Sequence, residues 1–500
     1  MESIGKKFQS GVVTLEIMIA FAVLILSISA VIMVVFGNQS IIIDTENNSE
    51  ALRKAVFGLE EARARSGTDF YSIVTKTEKE FSGALEYTKT LLVENITRCK
   101  KQATSTVSWA TNNQKTQKIE LTTYLTNVAE ALALGGDCAS EKTNSGWNNP
   151  QIFASDNINT SKINTVDVLN GIAYFGTNDS PYIEIADTRN ATLVQTGGLL
   201  VNFSNNFSAS WPINDLDAIE WRNPSTGIIK NFVFVAIATS TNQLNIIDVT
   251  DIQNPSLVAE RTLNNVDPDG SFPEGYKLFY YKDRLYIGTR ETAGAEFHIF
   301  NVSDPTNPVE IGQGISLNIT VNDIVIKEQN VNGDIKRFAY LATSQDSGEL
   351  KVYDVTNFDN SGIITEISQA KQNLTGIQNG QSLYIVGNNL YFGRQSTSNG
   401  PDLYVYDISN PQLGLNPLGV GDVETAVTRI VGSGRFVFLA TEKNGQEIQV
   451  WDISDSSNLS RIKNYNLSQI SKLGIDYENN FLYAVGQTTP NFQMIYSPNI

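Results

Sequence analysis

Residues 244–255, LNIIDVTDIQNP, decide the fold, because the chain repeats them. FHIFNVSDPTNP starts at Phe297, LKVYDVTNFDNS at Leu350, LYVYDISNPQLG at Leu403 and IQVWDISDSSNL at Ile448. YIEIADTRN from Tyr182 and FQMIYSPNI from Phe492 are weaker copies. Each copy is a short strand rich in β-branched and aromatic residues that ends, in five of the seven, in Asp and runs on into turn-forming Ser, Thr, Asn or Pro. A second aromatic strand recurs in step with it: AYFGT (173–177), LYIGT (285–289), AYLAT (339–343), LYFG (390–393) and VFLAT (437–441), with looser versions at 234–239 and 482–486. The strand-end position is held by Asp187, Asp248, Asn301, Asp354, Asp407, Asp452 and Tyr496, in steps of 61, 53, 53, 53, 45 and 44 residues.

A unit of about 40–50 residues accommodates four short strands, the size of a propeller blade. The seven copies therefore predict an all-β seven-bladed β-propeller over residues 151–500. A blade buries its apolar face only against its neighbours, so the ring must close. The last copy ends at Ile500, too soon for a fourth strand, and residues 151–155 precede the first copy without a blade of their own. They are expected to supply the missing outer strand. The repeated phrase resembles the LVIVD-repeat propellers of surface proteins, over about 70% of the chain. That resemblance implies a fold and leaves the ligand open.

Composition narrows the function. The chain has 500 residues, 36 basic and 53 acidic, a net charge of −17. Residues 1–149 hold 15 basic and 16 acidic residues (−1), and residues 150–500 hold 21 and 37 (−16). So acidic a C-terminal part is repelled by phosphate backbones, which argues against nucleic acid as a partner. The single histidine, His298, excludes a HExxH zinc site or a multi-histidine centre. No GxSxG, GxGxxG or GxxxxGK[ST] motif occurs. No cofactor, no metal and no enzymatic activity are expected.

At the N-terminus, KKFQSG leads into a stretch from Ile17 to Ile43 of 27 residues without a charge. Residues 17–36 are long enough to span a bilayer, and Lys6 and Lys7 would remain cytoplasmic. Glu16 beside the apolar run is costly unless it finds a partner. The basic leader ending in Gly11, the apolar Val12, Thr14-Leu15 and Glu16 resemble the prepilin segment of type IV pilins and type II secretion pseudopilins. Val12 replaces the family's usual Phe. The resemblance implies cleavage after Gly11 by a prepilin peptidase and N-methylation of Val12. It also implies insertion in the membrane before assembly with other pilin subunits, Glu16 pairing with a neighbour's N-terminal amine.

The domain plan is therefore a leader (1–11), a transmembrane and stem helix (12–65), a pilin-like β head (66–140), a linker (141–150) and the propeller (151–500). The fold class is an α+β pilin-like domain followed by an all-β propeller. In the stem, Ala51, Ala55, Leu59 and Ala62 recur at helical spacing. In the head, strand-like composition covers 70–81, 84–97, 104–110 and 118–127. Cys99 and Cys138 are the only cysteines. Outside the cytoplasm they are expected to close a disulfide, as pilin heads do, over a loop of about 40 residues, contributing roughly 3–4 kcal/mol. The protein is expected to be single-pass, with a cytoplasmic leader and extracytoplasmic C-terminal domains at the cell surface or in a pilus.

The repeated aspartates read as turn formers bonding to amides two residues on. His298, within a strand, reads as a packed or surface residue. The calcium-like start at Asp267 has Leu278 in its twelfth place, which excludes an EF-hand. The loop FSNNFSASW (203–211) offers Phe203, Phe207 and Trp211, with Trp221 nearby, as candidate ligand contacts, since aromatic faces beside amides suit sugars. The function expected is a minor pilin-like subunit whose propeller binds a surface glycan or protein as an adhesion module, at a filament tip. A surface-tethered propeller hydrolase and a secretion pseudopilin binding cargo are the alternatives.

Overall fold

The computed structural model describes residues 10–66 and, with short breaks, 70–126 and 146–497. The longer stretches outside it are 1–9, 127–145, 190–199, 204–211, 267–273 and 468–473, and the side chains of 10–17, 34–44 and 200–203 are likewise outside. The chain divides into two compact units, 1–128 and 129–500.

The first unit is helix α1 (Ser10–Ser66) and an antiparallel sheet of β1 (Lys76–Ser82), β2 (Leu85–Thr97), β3 (Lys100–Ala110) and β4 (Thr116–Thr126) in that order. Residues 50–65 are rich in good helix formers, and Glu50–Arg53 (2.7 Å) and Glu61–Arg65 (3.0 Å) pair across one turn. Ala51, Ala55, Leu59 and Ala62 are all buried, against Tyr87, Leu91, Ala103, Val107 and Leu125 of the sheet. The small alanines let the helix lie close: a Cβ on Gly58 would sit 2.9 Å from Ser105 Oγ. Lys101 is buried beneath the return loop, its ammonium donating to the Phe70 (3.0 Å) and Ile73 (2.9 Å) carbonyls.

The expected fold class and placement need correction here. Among the described residues no helix is long and apolar enough to cross a membrane, and the described chain is dominated by strands in four-stranded sheets. The pilin-like domain built on a transmembrane helix, and the single-pass membrane localisation with a cytoplasmic leader, therefore do not stand.

The second unit is a propeller-like ring of seven four-stranded antiparallel sheets, six of them with their strands in sequential order. Blades 1 to 7 take residues 163–203, 213–261, 275–310, 321–366, 380–421, 427–465 and 474–496. Strand Gln151–Asp156 completes the seventh by pairing antiparallel with Phe492–Tyr496, which ties the two ends of the ring together. The first strand of each blade contacts the first strands of both neighbours, so these strands line a central channel. Trp147, in the stretch read as linker, packs edge-on against Phe438 with ring centroids 4.5 Å apart.

The cores are the seams. Seven hydrophobic clusters each straddle two adjacent blades; Phe338 and Tyr340 of blade 4, for example, pack with Leu383 and Phe392 of blade 5. Burying one such side chain is worth about 1.5–3 kcal/mol. Glycines permit the close approach: a Cβ on Gly176, Gly288 or Gly393 would come within 2.6–2.7 Å of Ile213, Val321 or Val427 of the next blade.

The repeated strand-end residues act as turn formers. Asp248, Asn301, Asp354, Asp407 and Asp452 each accept the amide two residues on, at 2.8–3.0 Å. A second recurrence sits just before the third strand, at Gln243, Glu296, Glu349, Glu447 and Asn491, all buried. Each accepts the amide of the segment crossing to the next blade, from Leu263 (3.1 Å), Leu317 (2.7 Å), Leu374 (3.1 Å), Leu467 (3.0 Å) and Ile158 (2.7 Å) respectively. His298 is a packed residue, its Nδ1 2.7 Å from Glu310 and its Nε2 3.1 Å from the Ala295 carbonyl.

Candidate functional site

In six blades the first strand slips register by one residue near its start: between Ile163 and Thr165, Ile213 and Asp215, Gly275 and Lys277, Val321 and Asp323, Gly380 and Ser382, and Val427 and Arg429. The residues skipped are Asn164, Asn214, Tyr276, Asn322, Gln381 and Thr428. A bulge re-aims the side chain of its extra residue. All six line one cavity of about 340 Å³, a funnel at the mouth of the channel.

Three of these residues share one geometry. The amide nitrogens of Asn164, Asn214 and Asn322 donate to the carbonyls of Ile213 (2.9 Å), Gly275 (2.8 Å) and Gly380 (2.7 Å), the first inner-strand residue of the next blade. Holding the nitrogen in this way leaves each amide oxygen as an acceptor on the funnel wall. Asn178, Ala238, Arg290 and Glu442 add a rim from the loops between second and third strands. Arg290 pairs with Glu274 at 3.0 Å and stacks 4.7 Å above the Tyr276 ring.

The floor is charged. Arg429 reaches across the channel from blade 6 to Asp215 of blade 2 at 2.6 Å, and lies 3.7 Å from Asp323 of blade 4. Asp215 also accepts the Thr165 hydroxyl at 3.1 Å and the Leu278 amide at 3.2 Å. Burial pushes the Asp215 carboxyl up, but the Arg429 and Lys277 charges outweigh it and hold the group below its ordinary value. Asp323 goes the other way, raised by burial against the same two cations.

A second chamber of about 220 Å³ lies along the inner strands, lined in part by Asp167, Asp217, Asp476, Phe279, Val325 and Tyr384, and it shares Arg429, Asp215 and Asp323 with the funnel floor. Its aspartates staple blades together: Asp476 accepts the Val168 amide (2.8 Å), Asp167 that of Ala218 (2.6 Å) and Asp217 that of Tyr280 (2.7 Å). Burial raises all three, Asp217 to about 7, and the neighbouring carboxylates add to the effect. Tyr384 closes another seam by donating to the Gly432 carbonyl at 3.0 Å. Among the described residues no group of three or more His, Cys, Asp or Glu is placed to hold a metal ion.

The expected site residues fall elsewhere. Trp221 is at the opposite end of strand Ile213–Arg222 from Asn214. It is buried edge-on against Phe232, with its indole N–H donating to the Ser303 carbonyl at 2.9 Å. Phe203 ends strand Leu200–Phe203 with its side chain outside the described residues, as are Phe207 and Trp211. Trp211 precedes Pro212, which lines the funnel. Gly11, Val12 and Glu16 lie in α1 with undescribed side chains, and Cys99 and Cys138 lie outside the described residues. The Asp267 loop is outside them too. The funnel residues were missed, although their signal was present: a polar residue or Tyr in second place of each of six inner strands.

Comparison with known families agrees with the blades. The chain carries LVIVD repeats. The matches cover residues 228–262, in blade 2, and 426–467, which spans blade 6. None of the curated proteins compared with the chain matches it. The repeats support a propeller-like binding module without specifying what it binds.

Proposed function

We propose that the protein is a non-catalytic binding module whose LVIVD-repeat propeller takes a hydroxyl-rich ligand, such as the end of a surface glycan, in the funnel. One observation carries this reading: six blades each turn a bulged residue into one cavity, and three of those residues present amide oxygens. Hydroxyl donors satisfy such acceptors. The full-length chain should bind a subset of immobilised glycans, and Thr428→Trp, which fills the mouth, should weaken that binding at least tenfold. Unchanged binding by the variant would remove the funnel from consideration.

A hydrolase is the second reading. Asp215 and Asp217 lie two residues apart on one strand with their carboxyls pushed in opposite directions, the pattern of an acid and base pair. Both already accept amides of the next blade, and Asp215 is locked by Arg429. Release of reducing ends from a bound glycan would favour it.

The finer reading, a minor pilin-like subunit carrying the propeller at a filament tip, is supported by the Gly11–Val12–Glu16 pattern alone. A methylated peptide beginning at Val12 in sheared filaments supports it, and an intact N-terminus removes it.

A further inference from the structure

Lys277 lies on the funnel floor with its side chain only 16% exposed. Its ammonium carries three donors. Among the described residues it makes no hydrogen bond, only a loose ion pair with Asp215 at 3.8 Å and a distant approach to the Tyr276 ring, 5.9 Å from its centroid. Asp215 is already engaged by Arg429, Thr165 and the Leu278 amide. Burial and the adjacent Arg429 charge both push the Lys277 ammonium below its ordinary value. A buried cation without hydrogen bonds is unfavourable, and an anion entering the funnel would relieve it.

Three features define that anion. The volume, about 340 Å³, is near the low end of the ~300–1,000 Å³ of small-molecule sites, so it admits one or two sugar rings and not a polymer. The chain's net charge of −17 repels polyanions, so the ligand brings a single negative charge. The Asn164, Asn214 and Asn322 oxygens call for hydroxyl donors around it.

We propose that the funnel recognises an acidic sugar, with its carboxylate on Lys277 and its hydroxyls on the three asparagine oxygens. The proposal rests on the funnel being the ligand site. Lys277 then sets specificity between acidic and neutral sugars, and Arg429, tied down by Asp215, supplies field without a direct contact.

The test is calorimetric titration of the full-length chain with glucuronate and N-acetylneuraminate against glucose and N-acetylglucosamine. The acidic sugars should bind at least about tenfold tighter, and raising NaCl from 50 to 500 mM should weaken only them. Lys277→Met should bring the two classes to parity, and Lys277→Arg should keep the preference. Lys277→Gln replaces the methionine variant if that does not fold, and the salt series on the wild-type chain needs no variant. Equal binding of neutral sugars, or a preference that survives Lys277→Met, overturns the proposal; the funnel reading then still stands if Thr428→Trp blocks binding. Acid-sugar binding untouched by Thr428→Trp overturns both, as does the absence of binding by any sugar. Tighter binding of a sulfated sugar than of either carboxylate also overturns the acid-sugar assignment.

Discussion

Arg394 and Glu349 show how much one buried pair decides. They lie 3.2 Å apart with both side chains essentially inaccessible, and the guanidinium also donates to the Thr375 and Gln378 carbonyls. Glu349 meanwhile accepts the Leu374 amide. Removing the arginine alone leaves a carboxylate buried without its charge, which costs about 3–5 kcal/mol. Arg394→Met should lower the unfolding free energy read from urea titration by that much, and adding Glu349→Gln, which keeps the amide acceptor, should recover most of the loss. A single variant within 1 kcal/mol of wild type would mean the pair is solvated. The Glu349 position was visible in the sequence as a polar residue before the third strand of six blades, but the repeat was read from the apolar residue onward. The strand-end aspartates were legible because their bonds are local. Asn164, Asn214 and Asn322 were not, because a bulge is a property of two paired strands and single-strand alternation conceals it.

At the scale of elements, the seams between blades set the tolerance of the fold. Gly288 pairs with Lys277 across the first two strands of blade 3, and a Cβ there would sit 2.7 Å from Val321 of blade 4. Blades 2, 4 and 6 place Ala236, Ala342 and Ala440 at the matching register, opposite Asp215, Asp323 and Arg429. The seam therefore accepts a methyl group at some cost and nothing larger. Gly288→Ala should be mildly destabilising and Gly288→Val should lose about 1–3 kcal/mol by overpacking, read from thermal or urea unfolding. Equal stability of the valine variant would show that the blades can part locally. Blade count, repeat spacing and the closing strand 151–156 were readable, because each blade repeats the same local pattern and the last copy is visibly short. The N-terminal helix was over-read. Apolar composition predicted a span, whereas the packed part of α1 is its later half, where four small or aliphatic residues face a sheet.

At the scale of the molecule, the channel carboxylates and the net charge act on stability in the same direction. Asp217 is raised from its ordinary 3.8 to about 7 by burial, with Asp215 and Asp476 adding repulsion and the Tyr280 amide and Arg429 opposing it. Asp167 and Asp476 are raised by burial as well. Between about pH 4 and 7 the folded chain holds a proton on Asp217 that the unfolded chain has released. Stability is then greatest below the unfolded value and falls as pH rises through this window, by about 1.4 kcal/mol per pH unit for each such group. Asp215, held low by Arg429 and Lys277, has the opposite sign and loses its contribution only as pH drops below its ordinary range. Repulsion among the 53 acidic residues also eases as pH falls, so the acidic surface shares the sign of the channel cluster. The urea midpoint should therefore be higher at pH 5 than at pH 8. Asp217→Asn separates the two sources, because the amide keeps an acceptor for Tyr280 N–H and removes the titration. Its midpoint should change less between pH 5 and 8 than that of the wild-type chain, in 0.5 M NaCl as well as at low salt, because surface repulsion is screened and the buried cluster much less so. A wild-type midpoint that is flat or rising over this range, or an unchanged slope in Asp217→Asn, would show that the inner aspartates are ionised staples at neutral pH.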